Sequence, residues 1–261
     1  MIGKKHEYLL MAKAEATHWW FRTLHRRVVK QIGKSLHSNW TEINLLDAGC
    51  GTGGLILYLQ RQGIQSIWAL DASADAAAIT EAQTGVPVIL APLQEVSLHF
   101  PAAAFDVVCC MDVMTYLQDA EIVEVLEQFA KLLKPGGIIV LNNNAFRAFR
   151  GTHDIQLGIG KRFVKKDFVK YAAMASVCIL ENNYWNFILS PMVWLIRKCK
   201  LMLVYFSLVA PEKVASDLSL PPSWVNGALF QLLKWETRLI KQAPWGTSLF
   251  SVLRVVPSSK K

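Results

Sequence analysis

Between residues 41 and 145, short apolar runs alternate with segments whose apolar positions recur every three to four residues. The runs Ile43 to Asp47, Ser66 to Asp71, Val86 to Ala91, Phe105 to Asp112 and Ile138 to Leu141 are predicted strands. The fourth carries the continuous apolar stretch expected of a strand buried on both faces. Between them, Gly54 to Gln62, Ala74 to Gln83 and Ala120 to Leu133 read as helices, the last stopped by Lys134-Pro135-Gly136-Gly137. Repeated strand–helix units imply a parallel sheet with helices on both sides, whose ligands bind beyond the carboxyl ends of the strands.

After Asn144 the rhythm changes. A loop from Arg147 to Lys161 leads to a helix at 165–175, then a predicted strand from Val177 to Trp185. Another strand, Ser248 to Val256, forms with it the antiparallel pair that closes the sheet. The residues between, 187–246, are mostly of helical pattern and form an insertion. Ahead of the sheet, residues 1–40 read as a helical lid in which Arg22, Arg26 and Lys30 make a basic stripe beside Leu24, Val28 and Ile32. The expected fold is α/β and Rossmann-like: seven strands, mostly parallel, the last antiparallel. Residues 41–186 and 247–257 form its core.

The stretch from Phe187 to Ala210 is apolar enough to require a membrane test. Arg197-Lys198-Cys199-Lys200 near its middle excludes a transmembrane span. Two apolar helices joined by a basic hinge are expected instead, packed on the core or lying in a membrane interface. Lys and Arg outnumber Asp and Glu by 28 to 20, a net charge of +8, which suits an anionic partner or serves ordinary solubility. The five cysteines are odd in number and lack metal-type spacing, which reads as reduced thiols in the cytoplasm. No apolar stretch follows the charged amino terminus, so no secretory signal is expected. No metal-ligand cluster stands out.

The candidate chemistry begins at Asp47-Ala48-Gly49-Cys50-Gly51-Thr52-Gly53. A strand running into such a turn brings bare backbone close to a ligand. Asp71 ends the second strand, where a carboxylate can accept both ribose hydroxyls of an adenosine. Gly49, Gly51 and Gly54 also satisfy a dinucleotide fingerprint with an acid about 20 residues on. Asp47 ahead of the first glycine, the helical segment before the motif and the antiparallel carboxyl end argue against a dehydrogenase.

Taken with Asp71, Phe105-Asp106-Val107-Val108 and Leu133-Lys134-Pro135-Gly136-Gly137, the turn resembles the successive motifs of class I S-adenosylmethionine-dependent methyltransferases over residues 40–145. That resemblance implies S-adenosyl-L-methionine as cofactor. It places Asp47, Ala48, Gly49, Cys50, Gly51 and Gly53 under the methionine end, and Asp71 with Ala72 at the ribose. Leu93, Gln94 and Met111 complete the cofactor set. Ala91-Pro92-Leu93-Gln94-Glu95 lacks the Gly-Asp pair of many members, and Gln94 stands in through its side-chain carbonyl. His18-Trp19-Trp20-Phe21, His153-Asp154 and Lys161-Arg162-Phe163 further resemble a bacterial subgroup with a His-Trp-Trp-Phe helix, many of whose members lie in envelope-glycan or specialised-metabolite pathways. Thr115-Tyr116 replaces that subgroup's Glu-His after strand four.

In this reading Trp20 covers the sulfonium, which an aromatic face favours, or packs the helix on the sheet. Arg22 is the candidate for the cofactor carboxylate. His18, Tyr116 and His153 are the candidate general bases. Tryptophans in and beside 187–246 suit an apolar acceptor pocket, a packed helical insertion or a homodimer interface. The expected acceptor is a small-molecule or lipid-linked metabolite with an apolar portion, met in the cytoplasm or at the inner face of an anionic membrane. Nucleic acid is the weaker class, because Asp112-Val113-Met114-Thr115 is unlike a base-flipping signature. The alternative is a non-catalytic binding protein that acts through its helical insertion.

Overall fold

The computed structural model describes residues 5–36, 38–206 and 220–255, apart from the side chains of Lys5, His6 and His153. Two helices lead the chain, α1 (Lys5–Thr17) and α2 (Trp19–Ser35). The alternating part follows as β1 (Asn44–Ala48), α3 (Gly54–Arg61), β2 (Ser66–Asp71), α4 (Ala74–Thr84) and β3 (Val88–Leu90). It continues with α5 (Val96–His99), β4 (Phe105–Met111), α6 (Asp119–Leu132) and β5 (Leu133–Asn144). The closing part is α7 (Thr152–Gln156), α8 (Lys165–Met174), β6 (Val177–Trp185), α9 (Ser190–Tyr205), α10 (Ser223–Leu239) and β7 (Ser248–Val255).

The seven strands form one sheet in the order β3-β2-β1-β4-β5-β7-β6. The first five strands pair in parallel, while β7 runs antiparallel to both β5 and β6. This is the expected Rossmann-like sheet. Apolar side chains fill both faces: Leu24, Val28 and Ile32 of α2 pack on one, and Ile122, Val125 and Phe129 of α6 on the other. Strands β1 and β4 are buried almost throughout, which is why they read as apolar runs.

Several local expectations give way. The lid is not one helix, because His18 takes extended backbone (φ −63°, ψ 132°) and caps α2. Asn226 of α10 spans the break, its Oδ1 accepting from the Trp19 amide at 2.8 Å and its Nδ2 donating to the Thr17 carbonyl at 2.8 Å. Lys134-Pro135-Gly136-Gly137 opens β5 rather than lying between elements. Phe105 pairs with Leu133 but Val107 with Ile138, so the turn is a bulge absorbed into the strand. The basic residues after Ile196 do not make a hinge, since α9 runs unbroken from Ser190 to Tyr205. Lys and Arg are good helix formers whose long stems let the charges reach water. Residues 207–210 of that apolar stretch, residues 1–4 of the lid and Val256 lie outside the described residues. No helix among the described residues is long and apolar enough to cross a membrane.

Candidate active site

A cavity of about 750 Å³ lies beyond the carboxyl ends of β1, β2 and β4, where α1, α2, α9 and α10 close over it. Its floor is the glycine turn. Gly49, Gly51 and Gly53 have φ of 81°, 55° and 82°, values that a residue without Cβ adopts freely. A Cβ on Gly49 would stand 2.3 Å from Cγ2 of Val113, so nothing larger passes under the β4 loop. The turn is tied to β2 through the Gly49 and Cys50 amides, which donate to the Leu70 carbonyl at 2.7 and 3.1 Å. Asp71 anchors it from the other side, accepting from the Gly51 amide at 2.8 Å and from the Ser73 amide at 2.8 Å.

The main feature missed in the sequence is Glu15, on α1. Its Oε2 accepts from the Thr52 hydroxyl at 2.6 Å and from the Gly54 amide at 2.8 Å. The N-terminus of α3 therefore already holds a carboxylate, which favourably meets the positive end of the helix dipole. A dinucleotide pyrophosphate would need that same place. Glu15 thus removes the dehydrogenase reading by occupying the anion position.

Burial governs the titration of this region. Removal from water raises Glu15 to about 7 and raises Asp47 to about 8, the latter with further help from the nearby Glu15 and Asp71 charges. Asp71 is also raised by burial, against the amides that hold it. Among the described residues no Lys or Arg forms an ion pair with any of the three. Three desolvated carboxylates facing one cavity fit a ligand that brings positive charge, as S-adenosylmethionine does at its ammonium and sulfonium.

The structure brings most of the candidate residues to this cavity. Trp20, Asp47, Gly49, Cys50, Gly51, Asp71, Ala72, Leu93, Gln94 and Met111 line it, as do His18 and Tyr116. Gln94 gives its amide nitrogen to Glu121 at 2.9 Å, which leaves the side-chain carbonyl for the cavity. Trp20 also stacks on Trp185 at 5.4 Å between centroids, so it packs the lid and faces the cavity together. Cys50, like the other four cysteines, is free.

Three cofactor candidates lie elsewhere. Arg22 points to α10, where its guanidinium sits 3.9 Å from the Phe230 ring centroid, because the α2 face that carries it turns away from the cavity. Ala48 is buried within the sheet, and Gly53 turns towards Thr80 and Thr84 on α4. Two catalytic candidates also change role. The Nδ1 of His18 accepts from the Trp20 amide at 3.2 Å, and burial lowers its pKa to about 4. The neutral ring then carries its proton on Nε2, so His18 is a helix cap and no base. Burial pushes the Tyr116 hydroxyl well above its ordinary value, so it holds its proton across the neutral range and serves as a donor and not a base. His153 belongs to α7, but its side chain lies outside the described residues. Its neighbour Asp154 orients Arg162 instead, pairing with Nε at 2.7 Å and Nη2 at 3.0 Å.

Asp112, not singled out in the sequence, also lines this cavity. It follows β4 and holds φ at +60°, an uncommon conformation for a residue with a side chain. Its amide donates to the Asn142 carbonyl at 2.7 Å, and its Oδ2 accepts from Asn142 Nδ2 at 2.9 Å. Asn142 is fixed in turn by Trp185, whose Nε1 donates to its Oδ1 at 2.9 Å. Burial raises Asp112 to about 7. The only sequence sign was an acid closing an apolar strand. Its left-handed backbone at the cavity wall left no such sign.

Comparison with known proteins agrees with this geometry. A family described as a methyltransferase domain matches residues 45–137. The ubiquinone biosynthesis O-methyltransferase of Sodalis glossinidius is 30% identical over 172 residues, covering 54% of this chain and 67% of that protein. The chain belongs to the class I S-adenosylmethionine-dependent methyltransferases. The protein of the same description from Escherichia coli O6:H1 is 27% identical over 189 residues, 61% of this chain and 75% of the relative. The structure of geranyl diphosphate C-methyltransferase from Streptomyces coelicolor, solved with S-adenosyl-L-homocysteine, superposes with a TM-score of 0.55. At 12% identity, over 89% of this chain and 79% of that one, it speaks for the fold. This protein is accordingly an enzyme with S-adenosylmethionine as its methyl donor, and the non-catalytic alternative falls away.

Proposed function

We propose that this methyltransferase acts on an oxygen of a small-molecule or lipid-linked metabolite with an apolar portion, and that Asp112 removes the hydroxyl proton. S-adenosylmethionine, when bound, supplies an electrophilic methyl group on a cationic sulfur. Asp71 would hold its ribose, while Asp47 and Glu15 would face its positive charge. Each Asp71 oxygen that accepts an amide keeps a second lone pair for a ribose hydroxyl. The observation that carries the proposal is Asp112: a carboxylate poised near neutrality, in the wall of the cavity and oriented by Asn142. As the acceptor oxygen bonds to the methyl carbon, its proton passes to Asp112 and the carbon–sulfur pair stays with the departing thioether. Tyr116, a donor nearby in the wall, can orient the acceptor.

The far wall suits the acceptor's apolar portion. Met192, Val193 and Ile196 of α9 and Leu229 of α10 face the cavity, beside Arg197 and Lys200, with Arg197 Nη1 donating to the Phe149 carbonyl at 2.7 Å. The outward faces of these helices expose Leu195, Trp224 and Trp235, which suits an acceptor held in a lipid surface. The names of the bacterial relatives favour oxygen as the methylated atom.

The test incubates the enzyme with S-adenosylmethionine and phenolic or alcoholic acceptors bearing apolar tails, and follows S-adenosylhomocysteine formation. Asp112→Asn is expected to lower kcat by about 100-fold or more while cofactor affinity stays within about threefold. A variant as active as the parent, or a methyl group found on carbon or nitrogen, would overturn the proposal.

A further inference from the structure

A second cleft, of about 490 Å³, runs between α2, α10 and the β6 edge of the sheet, and shares no lining residue with the methyl-donor cavity. The basic stripe of α2 forms one wall with Arg26, Arg27, Lys30 and Lys34. Lys234 and Lys241 face it from α10 and the segment after it, and Lys165 closes one end. Across these seven cations, Glu181 is the one carboxylate among the described residues within ion-pair range, 3.4 Å from Arg27 Nη2. Arg27 itself is stacked over Phe250 at 4.8 Å from the ring centroid, and its Nε is buried without a hydrogen-bond partner. Asn182 and Asn183 add amide groups to the floor. Like charges gathered on facing walls repel one another and raise the energy of the folded chain, a cost that a bound anion relieves. Solubility alone explains dispersed charge and gives no reason for this convergence.

We infer that this cleft is an anion site that takes a phosphate group, separate from the place where the methyl group moves. The phosphate is either that of a free phosphate ester or that of a lipid headgroup. Exposed Trp235, one residue from Lys234 on α10, gives the second source an apolar contact beside the charge.

The full chain is titrated with inorganic pyrophosphate and, separately, mixed at low salt with vesicles of phosphatidylglycerol or of phosphatidylcholine. Pyrophosphate binding without vesicle recruitment identifies a free phosphate ester. Recruitment to phosphatidylglycerol but not phosphatidylcholine, competed by pyrophosphate, identifies the headgroup. In either case Lys30→Glu with Lys234→Glu is expected to lower affinity about tenfold or more. Arg61→Glu with Lys131→Glu, on exposed residues elsewhere, is expected to change it by less than about twofold. The milder Lys30→Gln with Lys234→Gln serves if the glutamate pair lowers the thermal midpoint, and cofactor affinity stays unchanged in all three. Absence of binding to both probes, equal loss in the two charge-reversed pairs, or equal recruitment to phosphatidylcholine overturns the inference. So does retention of a short DNA duplex alone, which would make the cleft a nucleic-acid contact.

Discussion

Glu15 Oε2 stands 2.8 Å from the amide of Gly54, so the lid helix α1 supplies the carboxylate that caps α3. One contact thereby joins the two sides of the cofactor cavity and sets its charge. A Cβ on Gly54 would lie 2.5 Å from that same oxygen, so the glycine is what lets the lid approach. The methyl donor is cationic, and this contact keeps a carboxylate in the wall of the cavity that would receive it.

Replacing Glu15 separates these roles. Glu15→Gln keeps an acceptor for Thr52 and Gly54 but removes the charge, and should weaken S-adenosylmethionine about fivefold to tenfold above neutral pH. S-adenosylhomocysteine, which has no sulfonium, should lose less. Glu15→Ala leaves two donors unpaired and should also cost about 1–2 kcal/mol of stability. Calorimetric titration with both ligands checks the pair. Equal losses for the two ligands would remove the electrostatic account.

The same carboxylates make the cofactor-free enzyme less stable in mild alkali. With native values of about 7 for Glu15 and about 8 for Asp47, against ordinary values near 4 when unfolded, the native state keeps protons that the unfolded state has released. Stability therefore falls as pH rises through that interval. His18 and His25, lowered by burial to about 4 and about 3, act oppositely, but only below the ordinary histidine value. Between pH 6.5 and 8 these two carboxylates act together with Asp112, which burial raises to about 7, for a loss on the order of 3 kcal/mol. Thermal unfolding should show it, and the midpoint gain from added S-adenosylmethionine should grow across the same range. A flat profile would mean that these groups ionise freely in the native cavity.

Gly49 offers a steric test. Gly49→Ala forces a side chain onto φ of 81° and places its Cβ 2.3 Å from Val113 Cγ2. Destabilisation of about 2 kcal/mol or more is expected, with loss of cofactor binding. Adding Val113→Ala should restore the part due to contact and leave the backbone strain. A Gly49→Ala enzyme with parental affinity would show that the β4 loop moves aside.

Much of this was legible before the fold was known, and the reasons are physical. Buried parallel strands have to be apolar on both faces, so β1 and β4 announced themselves. The glycine turn and Asp71 were legible because a close ligand leaves few residue choices. Other features depend on distant partners. Arg22 has the charge expected of a carboxylate ligand, yet only the packing of α10 shows that Phe230 receives it. Glu15 lies in an ordinary helical stretch, about 40 residues from the amide it caps. The bend at His18 is held by Asn226, more than 200 residues away, and no local periodicity records it. Asp112 carries no mark of its conformation in the sequence, because a left-handed residue at a strand end has no marker except glycine or asparagine.

Asn226 supplies the final prediction, since its side chain bonds both strands of the bend between α1 and α2. Asn226→Ala removes an acceptor for the Trp19 amide and a donor to the Thr17 carbonyl, and should cost about 1–2 kcal/mol. Because Tyr8, Met11 and Glu15 reach the cavity from α1, a loosened bend should raise the KM for S-adenosylmethionine and leave kcat near its parental value. Limited proteolysis should cut faster near His18. Asn226→Asp keeps the acceptor and loses the donor, so it should fall between the two in stability and in KM. An Asn226→Ala enzyme that loses kcat at unchanged KM would place this side chain in the chemical step and not in the closure of the lid.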